Sequence, residues 1–131
     1  DNFHHSCTLG QHCKLVGNSL NNNDLLYYSG LLHDCGKPFT KSFINSKGEE
    51  TDIAHYYQHH CCGSYDSLFF YYPDNVDRLD VSVLINLHML PYFWEKDEKY
   101  GEKTTLKYQK IWGEELFRNV MKLHEADKMS H

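Results

Sequence analysis

Ionisable side chains recur on the apolar stripes of four predicted helices, at positions where leucine would be the ordinary residue. They belong to His12, His33, His88 and Asp127. An unpaired carboxylate in a helical core costs several kcal/mol or more, so each buried group needs a partner. One such residue alone is usually a hydrogen-bonded core group, whereas four on different helices are most simply explained by metal ions that neutralise them together. The helices must therefore pack so that these side chains meet.

Hydrophobic spacing and helix-stop residues predict an all-α domain, a helical bundle of five or six helices with a metal site in its core. The predicted helices run from Ser6 or Thr8 to about Leu20, from Asn23 or Asp24 to about Asp34, from about Ile53 or Gln58 to Tyr72, over roughly 75–90 after a cap at Asp74 or Asn75, over roughly 104–112 and over roughly 114–129. Gly30 is expected to let another helix approach the second one closely, and Pro91 is expected to stop the fourth.

Three segments are predicted to lie outside the helices. Residues 1–7 are expected to form an irregular lead-in. Residues 36–54 are expected to form a polar loop with its tip at Ser46–Glu49, where a short hairpin would fit. Residues 92–103 are charged and are expected to form a further loop.

Length, charge and cysteine content limit the class of protein. The length of 131 residues predicts a single domain over residues 1–131. The net charge of −5 argues against a broad nucleic-acid surface, but bound divalent ions would still attract a small anionic substrate. The five cysteines contain no C-x-x-C pair, which argues against a zinc knuckle or a disulfide framework and favours reduced thiols in the cytoplasm. No apolar run approaches the roughly 18 residues of a membrane span.

The adjacent residues His33 and Asp34 end an apolar run and are followed by Gly36 and Pro38. Neighbouring side chains leave a helix about 100° apart, so both can reach one pocket at the end of the helix. A metal ion would suit that pocket, with the carboxylate free to bridge to a second ion. Imidazole and carboxylate ligands without thiolate suit Mn, Fe, Co, Ni, Zn or Mg.

The order of these residues resembles the motif of the HD-domain superfamily of metal-dependent phosphohydrolases. The run His33–Pro38 resembles the HD-x-G-K-P form of that motif. The run His55–His60 is similar to the F-x-G-H segment of the subfamily near the HD domain of tRNA nucleotidyltransferases, with Gln58 where glycine is usual. Leu87-His88 resembles the extra histidine of two-metal members, and Ala126-Asp127-Lys128 resembles the closing A-D. The resemblance extends from about residue 12 to residue 128.

The resemblance implies an HD-domain bundle that binds one or two divalent metal ions. The ligands of a first ion would be His12, His33, Asp34 and Asp127. A second ion would be held by Asp34 as a bridge, by His59, which is favoured over His60, and by His88. The alternative is that His59 or His88 only hydrogen-bonds to a substrate or to another ligand.

The implied activity is hydrolysis of a phosphate mono- or diester, in a nucleotide or at an RNA end, by a metal-activated water. Asp34 and Lys37 are the candidate catalytic residues, and Lys37 would bind a phosphate oxygen unless it only balances the helix dipole. His60, Lys41 and Tyr92 are further candidates for substrate contact; Tyr92 would stack on a base unless it serves packing.

Two other functions are compatible with the same ligand set. Some two-metal proteins of the fold that the resemblance implies, with the same six-ligand arrangement, hold a di-iron centre and use O₂ to break carbon bonds. A non-catalytic module that binds a nucleotide for regulation is the second alternative. The sequence leaves the oligomeric state open.

Overall fold

The computed structural model describes residues 8–130, so the lead-in predicted for residues 1–7 and the Ser6 cap lie outside the described residues. The elements are, in chain order, α1 (Leu9–Ser19), α2 (Asp24–Leu32), α3 (Lys37–Thr40), β1 (Lys41–Ile44), β2 (Glu50–Tyr56), α4 (His59–Ser67), α5 (Arg78–Leu87), α6 (Leu90–Lys96), α7 (Gly101–Trp112) and α8 (Glu114–Met129). Between residues 8 and 130, six helices have nine or more residues, which confirms the predicted all-α fold. In the same range, no helix is both long enough and apolar enough to cross a membrane.

Side-chain caps fix the starts of the first two helices as the sequence predicts. Thr8 accepts a hydrogen bond from the Gln11 N–H at 3.1 Å, and the Gln11 side chain accepts one from the Thr8 N–H at 3.0 Å. Asn23 accepts from the Leu26 N–H at 3.1 Å. These caps satisfy backbone donors that the first turn of a helix leaves free.

The segment before α4 differs from the prediction. Of the two predicted starts, Ile53 is wrong, because Glu50–Tyr56 is a strand that pairs antiparallel with β1, and Gln58 is confirmed as the cap of α4. The β-branched residues of β2 suit an extended chain, and β1 supplies the partner for its backbone groups. The predicted end at Tyr72 is also wrong, since α4 ends at Ser67.

The hairpin tip at Ser46–Glu49 is confirmed, with Gly48 at a φ of +80°. The start of the predicted loop over residues 36–54 is wrong, because Lys37–Thr40 is the short helix α3.

The segments around α5 and α6 also differ from the prediction. The cap of α5 is Asp77, which accepts from the Leu79 N–H at 2.9 Å, and not Asp74 or Asn75. Pro91 lies in the first turn of α6 instead of ending a helix, a position that proline tolerates because the N–H it lacks has no partner there. The predicted loop over 92–103 is therefore wrong for most of its length, since α6 ends at Lys96 and α7 begins at Gly101.

Two buried apolar clusters hold the bundle together. The larger joins α1, α2, α5 and α8 and consists of Val16, Leu20, Leu26, Leu84, Val120 and Leu123. The smaller consists of Val76, Val81 and Ile85. Trp94 of α6 is also buried and stacks on Tyr108 of α7, so aromatic packing attaches the short helix to its neighbour. The predicted stripes thus face a common core.

Two glycines allow the close contacts that bring the ionisable side chains together. A Cβ added to Gly30 would lie 3.0 Å from the Gly17 Cα, which confirms that α1 approaches α2 closely at this residue. A Cβ on Gly36 would lie 2.2 Å from the carbonyl oxygen of His59 and 2.6 Å from the Gly63 nitrogen. The turn after Asp34 therefore packs directly on the first turn of α4.

We expect Gly36→Ala to lower the free energy of unfolding by about 1–3 kcal/mol, because the new methyl group collides with backbone atoms that cannot rotate away. Chemical denaturation measures this. Gly10→Ala is the matched control, because a Cβ there meets nothing within 4 Å and alanine favours the helix. Equal stability of the two variants would contradict the close contact at Gly36.

Candidate metal centre

Five helices contribute side chains to one buried cluster. Its members are His12 on α1, His33 at the end of α2, Asp34 just after it, His59 at the start of α4, His88 at the end of α5 and Asp127 on the last turns of α8. Each of the six residues is at most 5% exposed. The structure thus brings together all six residues that the sequence suggests as ligands.

The first group comprises His12, His33, Asp34 and Asp127. The Nε2 atom of His12 lies 2.8 Å from Asp127 Oδ1 and 3.4 Å from Asp34 Oδ2. The Nε2 atom of His33 lies 3.2 Å from each of the same two carboxylate oxygens. Two imidazoles and two carboxylates therefore face a single point.

The second group comprises Asp34, His59 and His88. Here the other oxygen of Asp34, Oδ1, lies 3.2 Å from His59 Nε2 and 3.6 Å from His88 Nε2. Asp34 thus has one oxygen in each group, as a bridging ligand requires.

Backbone hydrogen bonds set the tautomer of all four histidines. The Nδ1 atoms donate to carbonyl oxygens at 2.5–3.1 Å, His12 to Ser130, His33 to Gly30, His59 to Tyr56 and His88 to Ile85. A carbonyl only accepts, so Nδ1 carries the hydrogen and a neutral ring has its lone pair on Nε2. All four Nε2 atoms then face the carboxylates, an arrangement that could hold a cation.

The distances also suit a cation. Ligands at about 2.0–2.2 Å from one ion lie about 3.0–3.5 Å from each other. The Nε2 atoms are 3.2 Å apart in the His12–His33 pair and 3.3 Å apart in the His59–His88 pair. Two Nε2 atoms that bind one ion would approach each other this closely. The residues therefore fit one or two divalent ions, and the absence of thiolate excludes none of the metals predicted.

A comparison with protein families agrees with this geometry. The family model for the HD domain matches residues 2–130. The chain belongs to the HD domain family. Among curated proteins and solved structures, none matches the chain significantly. The superfamily assignment is thereby confirmed, and HD domains bind divalent metals, in keeping with the cluster; the narrower resemblance to the subfamily near tRNA nucleotidyltransferases stays a prediction.

Opposite charges shift the pKa values of residues in the first group. Burial alone would lower the pKa of His12, but hydrogen bonds with Asp127 and Asp34 raise it to about 9. Burial alone would likewise lower the pKa of His33, which the Asp34 charge and the Asp127 hydrogen bond raise well above its usual range. Against their own burial, the histidines hold the pKa of both carboxyl groups below the usual range. Within the first group, the raised pKa values of His12 and His33 favour protonated rings beside the two carboxylates when no cation is bound.

Lys37 lies beside the HD pair. Its Nζ atom is 3.3 Å from Asp34 Oδ2 and 5.3 Å from the centre of the Tyr56 ring, and its side chain is 12% exposed. The turn around Gly36 and the start of α3 bring this ammonium to the cluster. It is therefore a cation at the edge of the site, close enough to solvent to meet a ligand.

The other two predicted polar contacts lie at different distances from the cluster. His60 is half-buried next to His59, with 6.1 Å between the ring centres, and burial lowers its pKa. Lys41 is exposed on β1, with its ammonium 5.6 Å from the centre of the Phe43 ring. The structure thus brings His60 to the site and places Lys41 on the hairpin.

Residues of α6 and α8 surround Asp127, and most of them were not indicated by the sequence. The Tyr92 hydroxyl donates to Asp127 Oδ2 at 2.7 Å, and its burial and that carboxylate raise the pKa of the phenol. Fully buried His124 bonds through Nε2 to Glu95, which also accepts from Lys128 at 2.7 Å. The signal for His124 was its spacing of three residues from Asp127, which puts both on one face of α8.

The unusual Gln58 has a backbone explanation. It precedes α4 with a φ of +63°, in the left-handed region that glycine adopts most easily. Gln58 thus takes the place of the glycine expected by resemblance and adopts the left-handed backbone conformation that glycine favours. His59 still begins the helix. The choice of His59 over His60 as the inward residue agrees with this geometry.

We expect divalent metal binding to release protons at neutral pH, because only unprotonated Nε2 atoms bind a metal. With the pKa of His12 at about 9, the apparent affinity should increase as the pH rises toward that value. Calorimetry in buffers of different ionisation enthalpy counts the protons released. His12→Gln should reduce the count, whereas His55→Gln, on the hairpin, should leave it unchanged. An affinity independent of pH between about pH 6 and pH 9 would contradict this assignment.

Proposed function

We propose that this HD domain is a metal-dependent phosphohydrolase that cleaves a phosphate mono- or diester with an activated water. The observation that best supports this is that the two carboxylate oxygens of Asp34 face different groups of histidines. Its Oδ2 lies 3.2 Å from His33 Nε2, and its Oδ1 lies 3.2 Å from His59 Nε2. A carboxylate between two sets of imidazoles suits the bridging ligand of a two-metal hydrolytic site. The HD domain family consists mostly of metal-dependent hydrolases.

In this proposal the first group holds one divalent ion and the second group holds another, with Asp34 shared. Bound ions of this kind activate water and stabilise charge on phosphoryl oxygens. The chain's part is to keep the Nε2 lone pairs aimed at those ions through the backbone bonds at Nδ1, and to surround the site with apolar packing. Such fixed ligands need no rearrangement during the reaction.

Lys37 and His60 would bind the phosphate. The ammonium of Lys37 stands 3.3 Å from Asp34 Oδ2 and keeps a partly exposed side chain, so a phosphate oxygen near the ions would lie within its reach. His60, neutral because burial lowers its pKa, supplies a hydrogen-bonding group beside His59. The exposed position of Lys41 makes it the weakest of the predicted contacts.

We further propose that the substrate is a nucleotide or an RNA end, handled by residues 1–131 as one domain in the cytoplasm. A net charge of −5 supports a small substrate over an extended nucleic acid, since long polyanions need a broad basic surface. The thiols of Cys13, Cys35, Cys61 and Cys62 are free, which supports a reducing compartment.

We expect Asp34→Ala to remove bound metal from both groups and to abolish hydrolysis, because Asp34 contributes an oxygen to each. Elemental analysis of purified protein gives the metal content. Hydrolysis is screened over nucleoside monophosphates, cyclic nucleotides and 2′,3′-cyclic phosphates with each candidate metal. Asp52→Ala, an exposed carboxylate on β2, is the matched control and should keep both properties.

Two results would contradict the proposed hydrolase. Tightly bound iron in pairs with O₂ uptake and no ester hydrolysis would favour the di-iron oxygenase. A wild-type chain that hydrolyses no ester with any metal would favour the non-catalytic module.

We expect Lys37→Met to keep the metal content but to raise KM and to weaken inhibition by inorganic phosphate about tenfold or more, because a charge-assisted contact to phosphate is lost. Steady-state kinetics on the best ester from the screen measure both effects. Lys14→Met removes an exposed lysine of α1 and serves as the control. Unchanged phosphate inhibition in Lys37→Met would remove Lys37 from the substrate site.

A further inference from the structure

Two sets of hydrogen bonds join the short helix α6 to α8. Tyr92 and Glu95 are three residues apart on α6, so they share a face. Tyr92 donates to Asp127, and Glu95 bonds to His124 and Lys128. His124, Asp127 and Lys128 are separated by three residues and by one residue, so they lie on one side of α8. The short helix is thus attached to the segment of α8 that carries Asp127.

The two oxygens of Asp127 have different partners. Oδ1 lies 2.8 Å from His12 Nε2 and 3.2 Å from His33 Nε2, inside the first group. Oδ2 accepts the hydroxyl of Tyr92 at 2.7 Å. A carboxylate is free to rotate and to offer both oxygens to one ion unless something occupies one of them.

We propose that Tyr92 is a positioning residue, which holds Asp127 so that only Oδ1 faces a cation bound with His12 and His33. The inference rests on the metal site of the proposed function, but it does not depend on which reaction that site catalyses. It assigns Tyr92 a part other than stacking on a substrate base.

The surroundings of Tyr92 keep its hydroxyl in place. The Tyr92 ring meets the His124 ring edge to face, with 4.5 Å between their centres. His124 is fully buried, and its bond to Glu95 fixes the plane of its own ring. Glu95 is held in turn by Lys128 at 2.7 Å. The half-buried Tyr92 ring would lose its contact with this fixed imidazole if it swung away from Asp127.

A hydrogen bond to the outer oxygen of a metal-binding carboxylate has two effects. It lowers the entropy that the carboxylate loses on binding, and it disfavours the rotated state in which both oxygens compete for the ion. Partners of this outer kind typically change metal affinity about 10- to 100-fold when they are removed. The effect should be largest in the first group, because Asp127 contributes a ligand atom to that group and not to the second.

The test is Tyr92→Phe in the full chain, which removes the hydroxyl and keeps the ring against His124. Co²⁺ is the probe, and its d–d absorption during titration gives a dissociation constant without any substrate. We expect the affinity of the first group to fall about 10- to 100-fold and that of the second group to change less. Tyr72→Phe is the matched control, because it removes a phenol bond of 2.6 Å to the Ser67 carbonyl away from the cluster.

A second measurement separates positioning from general stability. If Tyr92 acts through Asp127, adding Tyr92→Phe to Asp127→Ala should weaken Co²⁺ binding no further than Asp127→Ala alone. Equal losses in both backgrounds would overturn the proposal, as would wild-type affinity in Tyr92→Phe or the same loss in Tyr72→Phe. A wild-type chain that binds Co²⁺ normally but hydrolyses no ester would overturn only the proposed function. A wild-type chain that binds no divalent ion would overturn both.

Discussion

The carboxylate of Asp34 lies buried among His12, His33, His59 and Lys37, and the cost of burying its charge is the constraint on which the rest of the structure depends. Hydrophobic packing alone would accept many arrangements of these helices. The buried carboxylate is compatible with few of these arrangements, since its charge is stable only where imidazoles from different helices surround it. The buried apolar clusters favour folding in general, and the polar cluster favours the packing in which these imidazoles meet the carboxylate.

The ligand set could be predicted because helical periodicity is a local property. The spacing of Leu9, Val16 and Leu20 places His12 on an inward face before any contact is known, and the same reasoning places Asp127 on α8. The bundle followed from these stripes. The metal-ligand roles remain predictions, because periodicity shows which side chains point inward and not what they bind.

The parts that could not be predicted depend on contacts between distant residues or on residues with two meanings. Pro91 ends some helices and begins others, and only the packing of Trp94 shows which applies. The sequence indicated the tip of the hairpin, but the extent of the strand Glu50–Tyr56 depends on its pairing with β1, which a local pattern does not reveal. The bond from Tyr92 to Asp127 spans 35 residues and two separate helices, so no spacing rule could suggest it.

The four histidines of the cluster differ in where the carbonyl that holds Nδ1 lies along the chain. The rings of His33, His59 and His88 are each held by the carbonyl three residues earlier, within their own turn of chain. His12 is held by the carbonyl of Ser130, 118 residues away. Three rings are thus oriented by a carbonyl of their own turn of chain. The orientation of the His12 ring instead requires the end of the last helix to pack against the first helix. The first group is therefore complete only when the whole bundle has assembled.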